Sequence, residues 1–148
     1  MEVALGELMD GLPTGRPGLC LIGSDAPLLD AKVLQNAFEA LAGGVDLVTS
    51  PTPDGGYGLI GVSRRPPVGF LSNIRWSTET VLEATEEAAR RSGWSTARTL
   101  PSQDIDTGTD LSDFLTKMRK GTTAWPENSA PETRRYLMSL MRTGRLVG

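Results

Sequence analysis

No histidine occurs anywhere in the 148 residues. That absence excludes serine–histidine and cysteine–histidine catalysis within the chain and argues against the common zinc sites. Any metal must then be held mainly by oxygens, which favours Mg²⁺ or Mn²⁺. Cysteine is nearly as scarce. The single thiol, Cys20, lies in an apolar run, so it forms no internal disulfide and reads as a small packed side chain. No apolar run approaches the roughly 20 residues that span a bilayer. The opening MEVALGELMDG lacks the basic start and apolar core of a signal peptide. The expectation is a cytoplasmic protein without a transmembrane segment.

What charge there is falls unevenly. Residues 1–116 carry 8 Lys and Arg against 16 Asp and Glu, a net −8, whereas residues 117–148 carry 7 against 2, a net +5. An acidic main body argues against nucleic acid as a partner. With 39% hydrophobic and 22% charged residues, the length suits an ordinary globular protein with one sizeable core.

The pattern alternates strands and helices. Leu19–Ile22, apolar between Gly18 and Gly23, reads as a short buried strand. Asp30 is placed to cap a helix with Val33, Leu34, Ala37, Phe38 and Leu41 at helical spacing, stopped by Gly43-Gly44. Residues 45–49 and Tyr57–Val62 read as two further strands. Ser77 is the expected cap of a helix whose stripe is Val81, Leu82, Thr85, Ala88 and Ala89. Residues 94–100 suggest an edge or half-exposed strand. Thr107 and Asp110 are spaced as a capping box before Leu111, Phe114, Leu115 and Met118, and Ser129 and Glu132 as another before Tyr136, Leu137, Leu140 and Met141. This order implies a three-layer α/β architecture with a mostly parallel sheet. Residues 1–120 would form its main domain, and residues 121–148 a linker and an amphipathic helix packed on it.

In such sheets ligands bind beyond the carboxyl ends of strands. Asp25, Asp54 and the pair Asp104/Asp106 all follow apparent strands. Ser24-Asp25-Ala26-Pro27 serves equally as a turn and as the mouth of a metal site. "DIDT" would set Asp106 beside Asp25, two hard oxygen ligands of the kind that bridge a divalent cation to phosphate. Asp104 then supports the site or is simply solvated, and the whole segment also suits a helix N-terminus. In "PDGGYGLIG" the Asp54-Gly55-Gly56 turn explains itself as a hairpin. Gly58 and Gly61 remain, inviting a close neighbour or a ligand over one face. Trp76, Ser77 and Thr78 precede a helix, where Trp76 reads as a staple or the helix end as an anion site. Arg64, Arg65 and Arg75 are candidate phosphate contacts or exposed loop residues. Trp125 and the basic last helix are a packed anchor and a solvated face, or a surface for a partner.

Taken in order, "LIGSDAPLL", "DGGYGLIG", "IRWSTETVLEAT" and "QDIDTGTDL" resemble a bacterial family of GT-A-type glycosyltransferases, similar in fold to the molybdenum-cofactor and 2-phospholactate guanylyltransferases. The likeness runs from about Gly6 to Met118. It implies a nucleotide-diphospho-sugar transferase (GT-A, Rossmann-like) fold. Asp25 would bind a divalent metal on the nucleotide phosphates, and Asp106 would be the second ligand. Ser24 and Asp54-Gly55-Gly56-Tyr57 would line the substrate, with Trp76, Ser77 and Thr78 nearby. The partners it implies are a nucleotide sugar, or a nucleoside triphosphate, and an acceptor of unspecified class. Gly58 stands where that family has a second aromatic, and Gly108-Thr109 replaces a Pro-Glu. The family's first strand and its glycine-rich nucleotide loop have no counterpart before Gly6. The expectation is therefore an N-terminally truncated form of the fold. Leu19–Ile22 would then have an open edge, to be covered, tolerated, or paired with a second copy or another chain.

Overall fold

A computed structural model describes residues 1–27, 29–120 and 130–143. Trp125 and Ser129, singled out above, lie outside these residues, as does the expected linker. The chain divides into two units, Met1–Gly23 with Leu29–Ser102, and Ser24–Leu28 with Gln103–Gly148.

The first unit is built on a four-stranded sheet. Its strands are β1 (Leu19–Ile22), β2 (Leu47–Pro51), β3 (Tyr57–Val62) and β4 (Thr96–Arg98), in the order β1-β3-β2-β4. Strand β2 runs parallel to β4, while β3 runs against both β1 and β2. Three of the four strands thus share one direction, with β3 reversed between two of them. The reversal follows from the tight turn at residues 52–56, since only antiparallel neighbours can be joined so briefly.

Helices lie on both faces. One face packs Leu19, Leu47, Ile60 and Val62 against α1 (Glu2–Asp10) through Leu5 and against α3 (Val81–Arg91) through Val81, Ala88 and Ala89. The other packs Val48 and Leu59 under Val33, Ala37 and Leu41 of α2 (Ala31–Ala42). Alternate residues of each strand therefore feed opposite cores, which is the three-layer arrangement expected. Asp30 caps α2 by accepting the Lys32 N–H at 2.9 Å, and Gly43 ends it. The whole predicted stripe of α3 is buried.

Other expectations need correction. Strand β1 is not buried along its length: Leu19 is buried, but Ile22 is 53% exposed. It is an edge strand, bonded to β3 alone among the described residues. The β2 strand lies two residues later than predicted, and the strand expected over 94–100 shrinks to β4. Trp94 has left it to pack on Phe70 at 5.0 Å, with the Arg64 guanidinium over its ring. Phe38 is 39% exposed. Ser77 does not cap α3. It has φ 59° in a turn ahead of the helix, and Thr80 holds the cap position without a side-chain capping bond.

In the second unit, α4 (Gly108–Lys120) and α5 (Pro131–Arg142) bury Phe114, Leu115, Met118 and Leu137 together, with Ile105, Leu111, Leu140 and Met141 half-buried against them. Tyr136, assigned above to that apolar face, is 64% exposed. The cap of α5 is Ala130, followed by Pro131 at the first helical position. No helix among the described residues is long and apolar enough to cross a membrane.

Candidate metal and nucleotide site

Strands β1, β2 and β4 end at one edge of the sheet, where β3 begins. The hairpin turn fills that edge. The Thr52 N–H donates to the Gly56 carbonyl at 3.1 Å. Asp54 Oδ1 accepts from the Gly56 N–H at 3.1 Å and from the Thr52 hydroxyl at 2.5 Å. The turn's glycine is obligatory at Gly55: its φ is +85°, and a Cβ would overlap the backbone of Glu79. Its carbonyl accepts the Leu82 N–H at 2.9 Å. Tyr57 is half-buried, its hydroxyl donating to Met1 Sδ at 3.4 Å; desolvation pushes its pKa up.

That bond at Leu82 changes the expectation for the residues before α3. The Val81 N–H goes to the Thr78 carbonyl at 3.3 Å and the Leu82 N–H to Gly55. Two amides that an anion would use are already taken. Thr78 gives its hydroxyl to the Arg75 carbonyl at 2.7 Å, which closes a turn and delays the helix. Trp76 is therefore four residues before the cap and not a staple. It is 45% exposed and lines a cavity of about 370 Å³ with Met1, Glu2, Val3, Leu71 and Ser72. Two of the candidate phosphate arginines are also committed, Arg64 to Asp46 at 2.8 Å and Arg65 to Asp10.

The second unit holds the remaining candidates, on two segments. Ser24 and Asp25 are exposed on one; Asp104, half-buried, and Asp106, exposed, are on the other. The Ile105 N–H donates to the Asp25 carbonyl at 3.0 Å, so the residue between the two aspartates is bonded to the third. Ile105 itself turns into the α4–α5 core. The end of the segment is fixed by the predicted capping box. The Thr107 N–H donates to Asp110 Oδ2 at 2.8 Å and the Asp110 N–H to the Thr107 hydroxyl at 3.2 Å. The Thr107 hydroxyl, its N–H and the Asp106 N–H hold the Asp110 carboxyl below its ordinary range. Lys117 reaches Gln103 Oε1 at 2.6 Å at the segment's start.

The donor chemistry suits a hard divalent cation. Three carboxylates lie on two segments joined by one backbone bond, and the sequence has no imidazole. The one thiol is no competitor: burial pushes Cys20 up to about 11, which leaves it protonated and a poor ligand. The Ile105–Asp25 bond joins residues 80 apart; what the sequence offers toward it is the position of both segments after strands and the pattern "DIDT".

Comparison with known proteins agrees with this fold. The model of a family described as an uncharacterized protein conserved in bacteria (DUF2064) matches residues 4–78, just over half the chain. A crystal structure at 1.90 Å of a provisionally named nucleotide-diphospho-sugar transferase from Desulfovibrio desulfuricans G20 superposes with a TM-score of 0.74 and 27% identity. The superposition covers 97% of this chain and 60% of that one, so the present chain spans 60% of that protein's length. No curated protein matches. The chain thus has a GT-A-like α/β fold of the nucleotide-diphospho-sugar transferase kind.

Proposed function

The chain belongs to the DUF2064 family of bacterial proteins, and from that premise we propose that it is a metal-dependent transferase acting on a nucleotide sugar. The observation that carries this reading is the 3.0 Å bond from the Ile105 N–H to the Asp25 carbonyl, which ties the two carboxylate segments together in a fold shared with a nucleotide-diphospho-sugar transferase. In this reading Asp25 and Asp106 hold Mg²⁺ or Mn²⁺, with Asp104 supporting them. The bound ion would supply Lewis-acid neutralisation of the departing diphosphate. Asp54, Gly55, Gly56 and Tyr57 would line the substrate, as would Ser24, with Trp76, Ser77 and Thr78 as further substrate contacts. The backbone carries much of that role, since the Asp54 carboxylate and the Tyr57 hydroxyl have bonds within the chain. Residues 1–120 would form the GT-A-like part, in a cytoplasmic protein.

A nucleotidyltransferase joining a nucleoside triphosphate to a phosphorylated acceptor would use the same ligands. A third reading has its own support in the edge position of β1. There the protein is catalytically silent by itself and associates through that edge with a second copy or another chain. Nucleotide binding measured by calorimetry in Mn²⁺ and in chelator separates these. The transferase reading expects binding only with metal, weakened strongly by Asp25→Ala, and release of a nucleoside diphosphate on turnover. Release of pyrophosphate identifies nucleotidyl transfer. Equal binding in chelator and in the variant overturns both.

A further inference from the structure

We propose that Gly58 is a positioning residue for both carboxylate-bearing segments, an inference that rests on the metal reading of Asp25 and Asp106. Gly58 is the second residue of β3 and is buried. It is absent from the glycines with positive φ, so its lack of a side chain answers a need for space. A Cβ there would fall inside van der Waals contact of Ser102 Oγ, at 3.3 Å from Ser102 Cβ and 3.7 Å from Thr52 Cγ2. Ser102 is 6% exposed, and its hydroxyl has no hydrogen-bond partner among the described residues. A buried hydroxyl without a partner is unfavourable where it stands. The backbone fixes the α-carbon that carries it: the Ser102 N–H donates to the Pro51 carbonyl at 2.9 Å.

The same glycine holds the other segment. Its carbonyl accepts the Gly23 N–H at 3.1 Å. Gly23 is two residues before Asp25, and Ser102 is two residues before Asp104. One residue therefore roots both arms, by its carbonyl on one side and its bare α-carbon on the other. Further along, the two arms are joined by the Ile105 N–H and the Asp25 carbonyl. A side chain at position 58 pushes the Ser102 root outward and lengthens or breaks that junction, moving Asp104 and Asp106 away from Asp25.

The test compares Gly58→Ala, Ser102→Ala and the double variant in the full chain. Hydrogen exchange at the Ile105 amide is followed without metal, and Mn²⁺ affinity by electron paramagnetic resonance. In Gly58→Ala the Ile105 amide should exchange about tenfold faster relative to the amides of β2 and β3. Mn²⁺ binding should weaken by about 10- to 100-fold, the usual effect of disturbing the support of a metal ligand. Ser102→Ala should change neither, and the double variant should recover both, because removing Oγ clears the overlap. Ser102→Val wedges the same gap from the other side and should reproduce the loss if Gly58→Ala does not fold. A lowered melting temperature with Ile105 protection and Mn²⁺ affinity intact would make Gly58 a packing residue only and overturn the proposal. So would a double variant that stays impaired. A wild-type chain that binds no Mn²⁺ sinks the metal reading by itself, while Ile105 protection still decides for or against Gly58.

Discussion

Replacing Arg98 by alanine should cost more stability than replacing its partner Glu86 by glutamine, and the difference should close in acid. Glu86 stands on α3 with 9% of its side chain exposed, and Arg98 ends β4 with 50% exposed. The guanidinium donates twice, Nε to Oε1 at 2.7 Å and an Nη to Oε2 at 2.8 Å. Among the described residues the carboxylate's further hydrogen bond comes from the Thr49 hydroxyl at 3.5 Å. Arg98→Ala thus leaves a buried carboxylate with one long bond. Removing one partner of a fully buried pair costs about 3–5 kcal/mol, and an exposed pair is worth about 0.2–1 kcal/mol. With one member half in water, solvent screening sets the expectation near 2 kcal/mol. Glu86→Gln buries no charge and should cost about 1 kcal/mol. At roughly 3 °C per kcal/mol for a chain of this size, the two melting temperatures should fall by about 6 and 3 °C.

The pH dependence has a definite direction. The two Arg98 hydrogen bonds and its charge hold Glu86 below its ordinary 4.5. A depressed carboxyl stabilises the fold above its unfolded value, and the contribution is lost as pH falls through the folded value. The gap between wild type and Arg98→Ala should therefore be full at pH 7 and narrow below about pH 4. Thermal unfolding monitored by circular dichroism across that range measures it. Equal costs for the two substitutions, or a gap constant down to pH 3, would mean that Arg98 does not hold the Glu86 carboxylate in its charged form.

Two further outcomes follow from the same structure. Thr107→Ala removes one half of the reciprocal box with Asp110 and should destabilise by about 1 kcal/mol in chemical denaturation; no change would mean that α4 is held by its apolar face alone. Because burial raises Cys20 to about 11, its thiol should react with a maleimide far more slowly than a free cysteine at pH 8, and speed up as pH approaches that value. A rate equal to that of a model thiol would contradict the burial of β1's thiol.

Much of this architecture was legible because local chemistry and tertiary packing agree in it. Strand β3 was read to the residue, since an Asp-Gly-Gly turn bounds it on one side and apolar residues fill it. The stripe of α3 and the caps at Asp30 and Thr107 are local signals that the fold uses as written. Helix α1 was missed. Its sequence, EVALGELMD, has a glycine inside it and little one-sided pattern, and what holds it is remote. The Glu2 carboxylate accepts the Gly69 and Leu71 N–H groups at 2.7 and 2.8 Å, and Leu5 is fully buried. The false cap at Ser77 has a similar cause, because the β2–β3 turn supplies the acceptor for Leu82. Gly58 and Gly61 inside a strand ask for close neighbours, and the neighbours are Ser102 and Cys20. At the candidate site, residue types were readable but the joining of their two segments was not, since it depends on a backbone bond between Asp25 and Ile105.

The functional proposal depends on one ion shared between Asp25 and Asp106, for which a Mn²⁺ titration followed by electron paramagnetic resonance is the direct measurement. Wild type, Asp25→Asn, Asp106→Asn and, as a control outside both segments, Asp113→Asn would be compared in the presence of a nucleoside diphosphate. The account predicts one ion bound per chain, lost or weakened at least about tenfold by either of the first two substitutions and unchanged by the third. Binding that survives both Asp25→Asn and Asp106→Asn would contradict it.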